Sequence, residues 1–400
     1  VIRDRLDLAS KWLVVAVAFS VPLPAAWISV TTGLFLLVWA ISGDFEERWK
    51  RIVRHRVAAI SLALFAWMGF TMLWSPAALR PSSDDWWHYR ELLLIPLAIS
   101  VIDNPIWCRR IFFGFLCGFG IALVTSFLRW FGVLHDMGGL GPYAGFGGHT
   151  GFSTMLAFVG FACIWLARKW PAQRWAWYAF GIVCVGNLFF INTGRTGHII
   201  FLALLPLLAY SRFRFKGVAL GLIAACIAAG ALYGVSPRVK DRTDEMLSDA
   251  RKFHQHGDTT TNDGLRVGFW LNTVELIERH PGLGGGMGSF RPEYRALAEQ
   301  KGLTGNQITP NPHNEYLLVW SQTGIIGLGL LLWLWAAQWR YARGLGQCEG
   351  YLTHGLLVAM IVGDIFNSFI LDNLEGHFYA LLTAALAYSW PRGEADAKTI

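Results

Sequence analysis

Four polar residues in an otherwise apolar chain have the types and settings to do chemistry: Arg195, Arg266, His313 and Asp364. Arg195 sits in Asn192-Thr193-Gly194-Arg195-Thr196-Gly197, a tight turn between two apolar runs, and Arg266 opens an amphipathic segment. His313 falls in Asn311-Pro312-His313-Asn314-Glu315-Tyr316-Leu317, where the chain passes back into an apolar run. Asp364 lies inside such a run, where a carboxylate is expensive unless paired. Two guanidinium groups at a membrane interface can clamp a phosphate or pyrophosphate through paired N–H donors, with a charge that never titrates away. A histidine at the mouth of a cavity takes a proton near neutral pH and so can serve as a general base. The aspartate could orient that histidine or pair with an arginine. Together they would supply an activated hydroxyl nucleophile and a stabilised anionic leaving group. The arginines would offset the developing negative charge, so no metal or other cofactor is called for.

Taken one at a time, each residue has a plainer reading. Arg195 could be an interfacial arginine snorkelling to headgroups, Arg266 a solvated helix-start residue, and His313, after Pro312, a capping residue. Asp364 could pair with a structural partner such as Asn367. Only their common location lifts them. Other patterns carry less. Gly282-Leu283-Gly284-Gly285-Gly286-Met287-Gly288-Ser289 lacks the Gly-Lys-Ser/Thr ending of a phosphate loop, so backbone freedom is the first reading of these glycines and phosphate contact the second. His254 and His256 have no third ligand nearby, which argues against a metal site. Arg238, Lys240, Arg242, Arg251 and Lys252 alternate with Asp and Glu and read as a solvated face.

The elements that must position these residues are membrane spans. Hydrophobic residues make up 54% of the 400 positions and charged ones 15%, well below the roughly 25% charge of a soluble domain. Apolar runs long enough to span a bilayer recur along the chain, and the 20 Trp and 27 Phe suit interfacial belts and lipid-facing packing. Twelve helices are expected, at about 11–22, 26–42, 57–74, 88–103, 109–131, 150–167, 175–192, 197–210, 217–234, 313–338, 351–371 and 374–391. The first, fourth and eighth are short, and a count of ten or eleven results if weak segments merge. Pro22 and Pro24 separate the first two. The first apolar stretch, Trp12 to Val21, shows no cleavage site and reads as a retained span. The six Cys lie in or beside apolar runs and form neither a disulfide framework nor a CxxC pair.

With twelve spans, the loops carrying Arg48–Arg56, Arg109–Arg110, Arg168–Arg174, Arg212–Lys216 and Arg340–Arg343 all fall on one side. That side is then cytoplasmic, as are both termini. The net charge of +7 comes from these loops and carries no nucleic-acid message. The opposite side holds short loops and one long segment, 235–312. The expected organisation is 1–234, a bundle of about nine helices; 235–312, a helical periplasmic subdomain; and 313–400, three more spans with a short cytoplasmic tail. Within the long segment, Leu265–Arg279 carries Val267, Trp270, Leu271, Val274 and Ile277 at helical spacing, an amphipathic helix for the membrane surface or the bundle.

The order Arg266 and Trp270, His280-Pro281-Gly282-Leu283-Gly284-Gly285-Gly286, His313-Asn314-Glu315-Tyr316-Leu317 and Gly324-Ile325-Ile326-Gly327 resembles the O-antigen ligase and polymerase superfamily, most closely the ligases. The Asn-Thr-Gly-Arg195-Thr-Gly turn and the topology are similar to that family over nearly the whole chain. The resemblance implies an enzyme of the bacterial inner membrane that moves a glycan from undecaprenyl pyrophosphate to a sugar hydroxyl of lipid A–core at the periplasmic face, without a metal. His313 would then activate the acceptor, Arg195 and Arg266 hold the pyrophosphate, and Asp364 support the site. Asn314, Tyr316 and Gly286 would line the substrates. Direct attack implies inversion at the anomeric carbon. A polymerase commonly has two sizeable periplasmic loops, and a protein O-oligosaccharyltransferase an extra C-terminal domain, so both fit less well. A lipid-linked glycan transporter would need a similar basic cavity, but the sequence shows no internal repeat.

Overall fold

Apolar runs punctuated by proline, glycine and short polar stretches fold as helices throughout. A computed structural model describes residues 2–135, 143–256 and 261–391, and no strand occurs among them. The tail beyond Pro391, expected on the basic side, lies outside the described residues. In chain order the helices are α1 (Ile2–Ser20), α2 (Ala25–Ser42), α3 (Phe45–Arg54), α4 (Arg56–Phe70), α5 (Leu79–Trp87), α6 (Glu91–Val101), α7 (Pro105–Trp130) and α8 (Gly148–Lys169). There follow α9 (Arg174–Phe190), α10 (Arg195–Val235), α11 (Pro237–His256), α12 (Asn262–Arg279), α13 (Phe290–Gln300), α14 (Glu315–Ala342), α15 (Gln347–Phe366) and α16 (Asn373–Ala385).

The chain is an all-α, polytopic membrane protein in which seven helical stretches are long and apolar enough to cross a bilayer: α2, 56–74, α7, α8, α10, α14 and α15. The remaining apolar helices are shorter (α6, α9 and α16) or, in α1, begin with charged residues. The α1 helix starts at Ile2 rather than near residue 11, because its polar first turns find partners: Arg3 pairs with Asp44 at 2.7 Å and Lys11 with Asp103 at 2.5 Å. At the same end of the bundle a buried ion pair, Lys169–Glu349 at 2.5 Å, ties α8 to α15.

Helix α10 is two arms. Arg214 breaks it at φ 54°, ψ −136°. A Cβ on Gly217 would lie 2.2 Å from the Ala209 carbonyl oxygen, and one on Gly221 2.4 Å from Pro206 Cα. Residues 206 and 221 would stand about 22 Å apart in a straight helix, so the second arm folds back on the first, and small residues permit the close approach. The first arm and α14 both pack on α15, while α8 packs on α9, α10 and α15.

Helix α14 is also broken, at Gly324 (φ 68°, ψ −172°). The glycine-rich segment repairs the break. Gly285 and Gly286 N–H donate to the Ser321 and Gln322 carbonyls at 2.9 Å each, and Ile325 N–H donates to Pro281 and Gly282 carbonyls at 3.2 and 3.1 Å. A Cβ at Gly324 would sit 2.1 Å from the Gly282 oxygen, so the contact requires glycine for both space and dihedral. The glycines at 282–288 are thus a clamp on α14.

In the 235–312 stretch, α12 is N-capped by Thr261, whose hydroxyl accepts from Gly264 N–H at 3.2 Å. Its buried stripe differs from the expected one. Phe269 and Leu276 pack with Phe290, Tyr294 and Leu297 of α13 and Leu318 of α14, while Leu271 and Val274 are 61% and 42% exposed. The helix is apolar on two flanks, and the aromatic-rich flank, with the larger area to bury, faces the protein.

Candidate functional site

The site is assembled from four chain segments at one end of the bundle. The first is the turn before α10. Asn192 Oδ1 accepts from Gly194 N–H at 2.7 Å, closing an Asx turn. Gly197 lets the helix start lie against Ser153 of α8, where a Cβ would come within 2.5 Å of the backbone. Arg195 is thereby set at the first position of α10. Its Nη1 donates to Asp263 Oδ2 at 2.8 Å, with both side chains about a quarter exposed (26% and 25%).

The second segment is α12, which carries Asp263 and, one turn later, Arg266. Burial lowers the Arg266 pKa from its ordinary value, and the nearby Arg195 charge lowers it further, against Asp263. The two arginines therefore share one electrostatic neighbourhood. Trp270 Nε1 donates to the Pro312 carbonyl at 3.1 Å and fastens α12 to the third segment, the 309–315 loop.

That loop holds His313 at φ 54°, a left-handed conformation that costs a non-glycine residue about 1–2 kcal/mol. It is held by its neighbours. Asn311 Oδ1 accepts the His313 N–H at 2.8 Å and the Ser368 hydroxyl at 2.9 Å. The imidazole lies 6.2 Å from the Phe269 ring. Burial, then the Arg266 charge, depress the His313 pKa below its ordinary 6.5, so the imidazole is neutral and able to accept a proton at neutral pH. Strained backbone of this kind gathers at functional sites.

The fourth segment, the end of α15 with residues 367–372, is the frame. Asn367 is its centre: its carbonyl accepts from Glu315 N–H at 3.2 Å, and its Nδ2 donates to Thr196 Oγ1 at 3.1 Å. One residue thus joins the His313 loop to the Arg195 turn.

The structure brings Arg195, Arg266 and His313 together. Asp364 is buried near Glu315 and accepts from Phe369 N–H at 3.1 Å, shaping the 367–372 turn. The side chains of Asn314 and Tyr316 make contacts within the fold. Asn314 caps α14 by accepting from Leu317 N–H at 3.0 Å and donates to the Ile365 carbonyl at 3.0 Å. Tyr316 Oη donates to the Ile361 carbonyl at 3.0 Å. Both pin α14 to α15. Gly286 is buried against Ser75 in the α14 clamp, with its N–H donated to the Gln322 carbonyl. His254 is exposed on α11, and the side chain of His256 lies outside the described residues. The sequence reading passed over Asp263, whose spacing three residues before Arg266 was the available signal; Asn311 stood in the His313 motif and Asn367 beside Asp364, but their framing roles come only from what they meet across the fold.

The fold is that of a polytopic helical membrane protein, and at one end of its bundle two neighbouring arginines and a neutral histidine gather. Residues 180–332 match the family model described as O-antigen ligase. That stretch contains Arg195, Arg266 and His313 and ends before Asp364. The match supports the superfamily that the motifs resemble, and with it a role in lipid-linked glycan transfer. No curated protein matches the chain.

Proposed function

We propose that this protein transfers a glycan from undecaprenyl pyrophosphate to a sugar hydroxyl of lipid A–core at the periplasmic face of the bacterial inner membrane. The observation that carries the reading is the meeting of two arginines and a neutral histidine at one end of the helix bundle, inside the stretch that matches the family. Arg195 and Arg266 hold the pyrophosphate, which displaces Asp263 from Arg195 and supplies the negative charge that two adjacent guanidiniums need. The acceptor hydroxyl gives its proton to His313 as its oxygen bonds to the anomeric carbon. The bond from that carbon to the pyrophosphate oxygen breaks, and undecaprenyl pyrophosphate leaves with the electron pair. Attack opposite the leaving group inverts the anomeric centre. Charge on the departing phosphate is met by the arginines, so no metal takes part.

Twelve spans underlie this reading: the seven long stretches, with α10 counted as two arms, joined by α1, α6, α9 and α16. The Lys and Arg loops then lie in the cytoplasm, and the 235–312 subdomain in the periplasm between a bundle at 1–234 and the last three spans at 313–400. The exposed Leu271 and Val274 flank of α12 meets the membrane surface. Asp364, Asn314 and Tyr316 act by positioning.

Purified protein in liposomes, given undecaprenyl-pyrophosphate-linked glycan and lipid A–core, tests the reading. Glycan on the core, unaffected by EDTA, is the expected result. Longer donor-linked chains with untouched core would make it a polymerase, and donor changing leaflet without a covalent product would make it a transporter.

A further inference from the structure

Beside the 309–315 loop lies a second recess, a cavity of about 270 Å³ whose polar lining is Asp85, His88, Arg291, Asn311, Asp372 and Asn373, set among apolar walls that include Phe290, Leu318 and Leu371. Five separate parts of the chain meet there: α5 and the residues after it, the start of α13, the His313 loop, the first turns of α14, and the start of α16. Its volume falls just below the roughly 300–1,000 Å³ of sites that enclose drug-sized ligands, which suits one sugar ring and excludes a lipid chain. Its chemistry is that of hydroxyl recognition. Asp85 is paired with Arg291 at 3.5 Å. Asn373 is anchored by donating to Glu91 Oε1 at 3.3 Å. Asp372 makes no side-chain cap to α16, and its carboxylate faces His88 across the recess.

Asp372 is exposed to solvent and lines the recess, so its carboxylate is reachable from it. The protein packed around it pushes its pKa up to about 6, with His88 opposing the rise. A reachable carboxylate is a strong acceptor for hydroxyl donors, and charge-assisted hydrogen bonds of this kind exceed neutral ones. The recess is unsuited to pyrophosphate, whose charge would meet Asp372. It is joined to the reacting centre through Asn311, the residue whose side chain accepts the His313 N–H.

We propose that this cavity is an acceptor subsite, taking one uncharged sugar of the acceptor oligosaccharide beside the sugar whose hydroxyl reacts at His313. The proposal rests on the transferase reading above. Asp372 accepts from the hydroxyls of that sugar, and Asn373 and Arg291 donate to its oxygens. A sugar phosphorylated at this position is rejected by Asp372. The subsite makes acceptor choice a property of α5, α13 and the 367–373 turn, separate from the arginines that read the donor.

The test is calorimetric titration of the intact protein in nanodiscs with core oligosaccharide released from its lipid, in the absence of donor. The wild type should bind. Asp372→Asn, which keeps shape and removes charge, should bind about tenfold more weakly, with an unchanged thermal midpoint and an unchanged KM for donor. His88→Gln, at an exposed position, should give a smaller loss of the same kind. Equal binding by wild type and both variants would overturn the subsite, as would no binding by the wild type. Wild-type binding that Asp372→Asn weakens, without glycan transfer to the core, would uphold the subsite and sink the ligase reading instead.

Discussion

A histidine at φ 54° is held where it is by the side chain of Asn311 and the frame around Asn367, and that expense is sensible if the imidazole must sit at one point. Its pH behaviour follows from burial beside Arg266. With the folded pKa below 6.5, the base is already neutral at pH 7, and activity is lost only as pH falls through the lowered value. The acidic limb of a kcat/KM profile should therefore have its midpoint below 6.5; a midpoint above that would contradict the environment described. Arg195→Lys keeps the charge and loses the planar fork, so kcat/KM for donor should fall about tenfold or more, while Arg195→Ala should fall further. Initial rates at limiting donor would show it. Both arginines and the histidine were legible in the sequence because charge is conspicuous in apolar surroundings. Asp364 was equally conspicuous, and its hydrogen bond to Phe369 N–H, which braces the 367–372 turn, is a contact no local pattern discloses.

Two helices that hold the site are broken, and each break has a mechanical part. Gly324 interrupts α14 nine residues after Glu315, and the carbonyls and amides freed there are taken by residues 281–286. Gly324→Ala would force a side chain into a 2.1 Å gap at a dihedral that disfavours it. A loss of about 2–4 kcal/mol is expected, seen as a lower thermal midpoint in detergent. Gly221→Leu should act similarly on the α10 hairpin, whose arms touch at backbone distance. Helix positions were legible from apolar runs and from Pro22, Pro24 and the basic loops. The facing of α12 was not: its apolar residues form two flanks, and only the presence of Phe290, Tyr294 and Leu318 decides that Phe269 and Leu276 turn inward. The glycine-rich run was legible as flexible backbone, but its partner, the broken α14, is set by a fold-level contact.

For the whole molecule, the account requires the 235–312 stretch and the basic loops to lie on opposite sides of the membrane. In a background lacking the native cysteines, Thr304→Cys should react with an impermeant maleimide added to spheroplasts, and Gly344→Cys only after permeabilisation. Reversed labelling would put the arginines on the wrong face for a periplasmic acceptor. The central claim is that His313 removes the acceptor's proton while the arginines hold the donor, and one measurement reaches it most directly: transfer from undecaprenyl-pyrophosphate-linked glycan to lipid A–core by purified His313→Ala, with donor affinity measured on the same preparation. The account predicts a loss of about 10²–10⁴-fold in kcat, with donor binding within a few-fold of wild type. Full transfer by that variant, or a loss explained entirely by weaker donor binding, would contradict it.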